Sequence, residues 1–213
     1  MKRTTILFVT AAAMVVVSPH VATADLLLTE TFDTSPLLTS PAAPFSLAFV
    51  LTDGGGSGDR NNTAMLSNFA FGGGSAGAVF LTLGGATGDL LSGVTLTDSS
   101  FFNALSSSFT PGTTLGFQLA LTTKIDPGGT PDQFSVVILR SDGSPVPTTD
   151  PTGANSLLTV NIDSALPGAM RFDLVGVPEP SSFLLLIPGL AILAGMRIRR
   201  ARPERVRPRS SHH

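Results

Sequence analysis

Short runs in which every second residue is apolar recur through the middle of this 213-residue chain. In the clearest run, residues 45–51, the large side chains Phe45, Leu47, Phe49 and Leu51 alternate with smaller ones. Period-two alternation is typical of half-buried strands, and clusters of Gly, Pro, Asp and Ser separate the runs. About nine such strands in roughly 150 residues predict an all-β domain, an antiparallel β-sandwich or jelly roll. The other runs cover residues 26–29, 65–71, 79–83, 94–97, 115–121, 134–138, 157–162 and 170–174.

Residues 99–109 fit this pattern least well. Phe101, Phe102 and Leu105 have helix-like spacing, but the surrounding serines do not favour a helix. The pattern therefore leaves a short helical turn open at this point. The Phe residues of the middle region lie mostly inside the alternating runs, which predicts that they pack in the core.

The first 24 residues have the three parts of a secretory signal peptide. Two basic residues come first, and an apolar stretch at 6–17 follows. The segment ends with a small-x-small tripeptide that begins at Ala22 and ends at Ala24. We expect signal peptidase to cleave after Ala24, so that the mature chain begins at Asp25. The alternative is a retained anchor helix, but the apolar stretch is short against the roughly 20 residues that span a bilayer.

The C-terminus carries a second apolar stretch, residues 181–196, which would form about 24 Å of helix. We expect a single transmembrane helix there, because seven arginines follow it within the last 17 residues. Basic residues favour the cytoplasmic side of a membrane, so we expect residues 201–213 to form a basic cytoplasmic tail. A buried core helix is the alternative, and the arginine-rich tail argues against it. The flanking residues are Val177, Pro178, Glu179 and Pro180 before the stretch, and Arg197, Arg199 and Arg200 after it.

The Pro178-Glu179-Pro180 tripeptide, the short span and the arginine cluster together resemble the PEP-CTERM sorting signal of Gram-negative bacteria. The resemblance covers residues 177–200, although the tail beyond them is longer than is usual for the family. It implies that exosortase, an integral-membrane transpeptidase-like enzyme, recognises the segment and cleaves near the motif. Such proteins are typical of species that make exopolysaccharide. The two prolines suit a processing site because they keep the backbone extended.

The middle region also resembles one family of PEP-CTERM passengers. That family has no assigned activity, so the resemblance implies a fold but no site. The segments that carry it are residues 32–36, 53–62, 67–74, 97–102 and 149–155.

Composition narrows the function of the passenger, residues 25–176. Four basic against 13 acidic side chains give a formal charge of −9, which argues against nucleic-acid binding. The passenger has no His or Cys, which excludes His-based triads, thiol nucleophiles, disulfides and the usual zinc or haem ligands. A glycosidase would need two carboxylates that flank a sugar. Nearly all Asp residues of the passenger lie in turn-like settings, and the chain has no Trp or Tyr to stack on a sugar. We therefore expect no enzymatic activity.

One loop, residues 53–62, concentrates oxygen donors on a glycine-rich backbone. Asp53, Asp59, Asn61 and Asn62 are candidate ligands for calcium, which binds six to eight oxygen atoms. The spacing is not that of an EF-hand, and no bidentate Glu is present. The alternative is a plain hairpin loop with Asx turns. No other cofactor is expected.

Together these features predict a non-enzymatic exported protein. The precursor would be anchored in the inner membrane with its passenger in the periplasm, and the mature form would lie at the cell surface or in the extracellular matrix. Its partners would be signal peptidase, exosortase and exopolysaccharide, in a biofilm setting. Two alternatives remain open: a calcium-dependent adhesin or glycan-binding module that uses the 53–62 loop, and a permanently membrane-anchored envelope protein.

Overall fold

The computed structural model describes residues 25–56, 58–125 and 129–175. The predicted signal peptide, PEP motif, transmembrane helix and arginine cluster lie outside the described residues. Within the described part of the chain, no helix has the length and apolar character needed to cross a membrane.

The described residues form eleven strands and one short 3-10 helix at Ser35–Leu37. Every strand pairing is antiparallel. The strands are β1 (Leu26–Asp33), β2 (Phe45–Thr52), β3 (Thr63–Ala70), β4 (Ser75–Leu83), β5 (Gly85–Asp89), β6 (Gly93–Thr97), β7 (Phe102–Thr110), β8 (Thr114–Leu121), β9 (Asp132–Leu139), β10 (Leu158–Ile162) and β11 (Ala169–Arg171).

The strands make two sheets, as the all-β prediction requires. The five-stranded sheet has the order β1-β8-β3-β6-β5, and the six-stranded sheet has the order β11-β10-β9-β2-β7-β4. One apolar cluster takes side chains from both sheets, which is the arrangement of a β-sandwich.

The strong alternating runs supply the centre of this core. Phe49 of β2, Phe117 of β8 and Phe134 of β9 are fully buried, and so are Leu47 and Leu51. Burying a side chain of this size contributes roughly 1.5–3 kcal/mol. The period-two pattern thus identifies the strands that hold the two layers together.

The structure decides one point that the pattern leaves open and corrects one expectation. Residues 102–110 form β7, not a helical turn, because β7 pairs with β2 on one side and β4 on the other. In that position Leu105 and Phe109 face the core, and tertiary pairing outweighs the local spacing. Phe80, Phe101 and Phe102 are exposed, so the expectation that Phe residues pack inside fails for these three. Strand β5 has no large side chain and was not predicted.

The loop at residues 53–62 is not a hairpin. It leaves β2 in the six-stranded sheet and enters β3 in the five-stranded sheet, so it crosses from one layer to the other. This crossing places the loop over one end of the sandwich, where strands of both sheets begin or end.

Candidate functional site

Asn62 is the centre of a buried polar cluster under the 53–62 loop. It is fully buried and directly precedes β3, whereas its partner Asp132 is the first residue of β9 in the other sheet. The Asn62 Nδ2 donates to Asp132 Oδ2 at 2.8 Å and to the Lys124 carbonyl oxygen at 2.8 Å. Its Oδ1 accepts from the Lys124 amide at 2.8 Å and from the Thr122 hydroxyl at 3.4 Å. One amide side chain therefore links the two sheets with its donors and acceptors used.

Asp53 folds the start of the loop back on itself. Its carboxylate accepts hydrogen bonds from the backbone amides of Gly56 at 2.7 Å and Gly58 at 2.5 Å, and its side chain is fully buried. The intervening Gly54 amide donates to Asp132 Oδ1 at 2.9 Å. A β-carbon on Gly54 would lie 2.1 Å from the Thr130 carbonyl oxygen, so this close approach needs glycine. The loop is held by carboxylates that accept backbone amides, as in an Asx turn.

Asp98 is the least compensated group of the cluster. It follows β6, it is fully buried, and its Oδ2 accepts a hydrogen bond from the Asn62 backbone amide at 2.9 Å. Its Oδ1 has no hydrogen-bond partner among the described residues. The pKa of Asp98 is raised to about 7, chiefly by burial; the Asn62 hydrogen bond opposes this rise, and the carboxylates of Asp132 and Asp59 contribute to it. Among the described residues, no Lys or Arg forms an ion pair with Asp98, Asp132 or Asp59.

The structure divides the four predicted calcium ligands into two pairs. Asp53 and Asn62 lie inside the cluster, where both are engaged in hydrogen bonds within the protein. Asp59 is exposed, and its carboxylate accepts from the Asn61 backbone amide at 3.1 Å and from the Asn61 Nδ2 at 2.8 Å. The sequence analysis missed Asp98 and Asp132, which lie near Asn62 in space but 36 and 70 residues away along the chain.

A signal for these two residues is present in the sequence. Each lies at the end of an alternating run, one just after residues 94–97 and the other just before residues 134–138. In antiparallel neighbours one strand ends where the next begins, so Asp53 after β2 must lie close to Asp132 at the start of β9. The sequence alone does not fix the strand order, so it does not show that Asp98 and Asp132 meet at the same end of the sandwich.

The oxygen atoms of this cluster can be compared with the ligands that a metal ion needs. Among the described residues, no group of three or more His, Asp or Glu side chains is placed to hold a metal ion. A calcium ion at this end would therefore need amide and carbonyl oxygens beside the Asp98 and Asp132 carboxylates. Calcium accepts such neutral oxygens, so the chemistry of the cluster fits calcium better than a transition metal.

A second polar link joins the two sheets at the β1–β11 edge. The Arg171 Nε lies 2.7 Å from Glu30 Oε2, and its Nη2 donates to the Thr31 carbonyl oxygen at 3.1 Å. The guanidinium also lies 5.5 Å from the centre of the Phe32 ring. Burial raises the pKa of Glu30, and the charge of Arg171 opposes that rise.

Two open grooves lie elsewhere on the sandwich. One, of about 450 Å³, is lined by residues that include Asn68, Phe69 and Leu91. The other, of about 380 Å³, is lined by residues that include Leu38, Phe45 and Pro111. Neither lining contains a titratable side chain, so neither groove brings together an acid and a base.

The fold and the cluster define a two-sheet, all-β sandwich domain whose layers are linked by buried polar groups. No protein-family model, no curated protein and no solved structure matches the chain.

Proposed function

We propose that this chain is a non-enzymatic exported protein of the cell surface or extracellular matrix. Signal peptidase removes residues 1–24, the C-terminal span holds the precursor in the inner membrane, and exosortase cleaves at the Pro178-Glu179-Pro180 motif. The mature β-sandwich then associates with exopolysaccharide. The proposal rests on the two terminal segments read together and on the position of Asp25 in the fold.

Asp25 supports the predicted N-terminus because the fold uses this residue. Its backbone nitrogen donates to the Leu121 carbonyl oxygen at 3.0 Å, and an α-amino group at the same place keeps that bond. Its carboxylate accepts from the Thr123 amide and from the Lys124 Nζ, both at 3.2 Å. The hydrogen bond from the Thr123 amide lowers the pKa of Asp25 most, and the hydrogen bond from Lys124 lowers it further. A chain that begins at Asp25 therefore keeps the contacts that this residue makes with Leu121, Thr123 and Lys124.

Intact-mass spectrometry of the protein from the native host tests this proposal. Material from the cell surface and the medium should begin at Asp25 and end near residues 177–180. A product that keeps residues 183–213 in the membrane fraction would instead support a permanently anchored envelope protein. A Pro178→Ala, Pro180→Ala variant should accumulate as the uncleaved precursor, whereas Pro167→Ala, outside the motif, should be processed normally.

A second candidate function is calcium-dependent adhesion or glycan binding at the loop end of the sandwich. The observation that favours it is Asp98, a buried carboxylate with an unpartnered oxygen next to the carboxylates of Asp132 and Asp59. A divalent cation would supply the positive charge that the described residues do not provide there. In this second candidate function, the principal calcium ligands are Asp98 and Asp132 instead of Asp53.

Thermal unfolding with excess calcium and then with chelator tests the second candidate. Binding at 100 times the dissociation constant should stabilise the protein by about 2.7 kcal/mol. Asp98→Asn should abolish that calcium response, and Asp163→Asn, an exposed aspartate elsewhere, should leave it intact. Identical unfolding curves with calcium and with chelator would eliminate this function.

A further inference from the structure

The outer face of the six-stranded sheet carries no charged side chain. Along β2, β7 and β9 the core-facing residues alternate with residues that point away from the core. In β4, Leu81 and Leu83 pair with Ser106 and Ala104 and so lie on the same outer side. The residues of this outer face on the three central strands are Ser46, Ala48, Val50, Thr52, Phe102, Ala104, Ser106, Ser108, Gln133, Ser135, Val137 and Leu139.

The absence of charge is notable because the passenger is strongly acidic. Residues 25–176 carry a formal charge of −9, and none of it lies on the outer face of β2, β7 and β9. The opposite face of the sandwich differs. There Asp33 of β1 and Asp89 of β5 alternate with core-facing residues and so point outward. The outer face of the six-stranded sheet is therefore the broad surface on which two acidic copies can meet without bringing carboxylates together.

The shape of this face also suits close contact. Ser46, Ala48, Ala104 and Ser106 form its centre, and each is less than a tenth exposed although it points outward. Small side chains on adjacent strands make a flat, close-packed surface. Exposed Leu81, Leu83 and Phe102 add apolar area on the β4 side.

We propose that this outer face binds the same face of a second copy of the chain, giving a symmetric dimer in which two six-stranded sheets stack. Sheets stack face to face about 10 Å apart, with their strands roughly 30° from parallel. The four long strands, β2, β4, β7 and β9, have eight or nine residues each and cover on the order of 500 Å² per copy, from strand spacing and rise. Two copies then bury about 1,000 Å², the lower bound for a specific interface.

Other partners fit the face less well. A charged partner would find no complementary charge on it. A polysaccharide usually stacks on aromatic rings, and the centre of the face holds only Ser and Ala. A second copy needs neither feature. This inference goes beyond the proposed export and does not depend on it, because it uses only contacts within the described sandwich.

Sedimentation velocity on the purified full chain in mild detergent tests the proposal. We expect wild type to be dimeric and Val137→Glu and Val137→Lys each to be monomeric, since each variant would bury like charges from both copies in one interface. An equimolar mixture of the two variants should restore a dimer through opposite charges. Met65→Glu and Met65→Lys put the same charges on the outer side of β3 in the other sheet and should remain dimeric. The C-terminal segment is identical in every sample, so association through it cannot produce this pattern.

Three results would overturn the proposal. Wild type could be monomeric at its highest soluble concentration, the Met65 variants could dissociate as fully as the Val137 variants, or the mixture could fail to re-form a dimer. A monomer that binds purified exopolysaccharide only while Val137 is intact would assign the face to a glycan instead. Urea unfolding of each variant checks that it is folded. If the Val137 variants unfold, Ser135→Glu and Ser135→Lys provide the same charge-swap test two residues away on β9.

Discussion

Asp98→Asn should stabilise this protein at neutral and alkaline pH. The substitution keeps the shape of the side chain and one oxygen to accept the Asn62 amide, but it removes the negative charge. The new amide group can also donate to the neighbouring Asp132 carboxylate, which contributes to the charge repulsion at Asp98. An unfavourable buried charge would thus be replaced by a neutral hydrogen-bonding group.

The size of this effect follows from the pKa of Asp98. In the folded protein it is about 7, whereas the ordinary value is 3.8. Between these values the folded state holds a proton that the unfolded state has released, so the free energy of unfolding falls as pH rises. The stabilising contribution is complete below about pH 4 and is lost as pH passes through 7. The full difference corresponds to about 4 kcal/mol at 1.36 kcal/mol per pKa unit. Because even buried charges in proteins are screened more than in a dry apolar medium, we expect about 2 kcal/mol of it to be measurable.

Urea unfolding at pH 5 and pH 8, in the presence of chelator, measures this effect. Wild type should lose stability between the two values, and Asp98→Asn should lose much less and exceed wild type at pH 8. Glu30, whose pKa is also raised, remains in both proteins and cancels in the comparison. Asp163→Asn is the matched control and should follow wild type. If Asp98→Asn is less stable than wild type at pH 8, or keeps the same pH dependence, the ionised carboxylate is not a cost and the reasoning is refuted.

Three further substitutions test the contacts that join the sheets. Asn62→Ala should cost about 3–4 kcal/mol in urea unfolding, because it leaves buried backbone and carboxylate partners unsatisfied; a cost under about 1 kcal/mol would contradict its central position. Gly54→Ala should cost more than about 2 kcal/mol, since its β-carbon would lie 2.1 Å from a backbone oxygen, and Gly168→Ala, which meets nothing within 4 Å, should be nearly neutral in the same assay. Arg171→Ala should cost about 1–2 kcal/mol because it leaves Glu30 buried without its ion pair, and adding Glu30→Gln should recover part of that loss.

The strands that carry a strong alternation of large and small residues could be predicted from the sequence. Residues 45–51, 115–121 and 134–138 all fall within strands β2, β8 and β9. These runs succeed because burial on one face imposes the period-two pattern directly. The failures occur where the pattern depends on neighbouring strands. β7 has serines on its outer side, and β5 has only one buried alanine to face the core.

The candidate site could be predicted only in part, for a related reason. Asp53 and Asn62 lie in one loop, so their proximity is visible in the sequence. Asp98 and Asp132 join them only because β6 and β9, in different sheets, bring their ends to the same end of the sandwich. The burial that raises the pKa of Asp98 is likewise a property of the assembled layers. Local composition therefore indicates the loop, but it cannot indicate the carboxylates that other strands bring to it.

The absence of cysteine gives the polar cluster a structural role as well. The chain has no disulfide to fix one sheet against the other, and the hydrophobic attraction between the layers is not directional. Hydrogen bonds are directional, so the Asn62 amide reaches Asp132 only in one relative position of β3 and β9. The Glu30–Arg171 pair fixes the β1–β11 edge in the same way. Apolar packing thus supplies the stability of this sandwich, and the two polar links define how its layers are aligned.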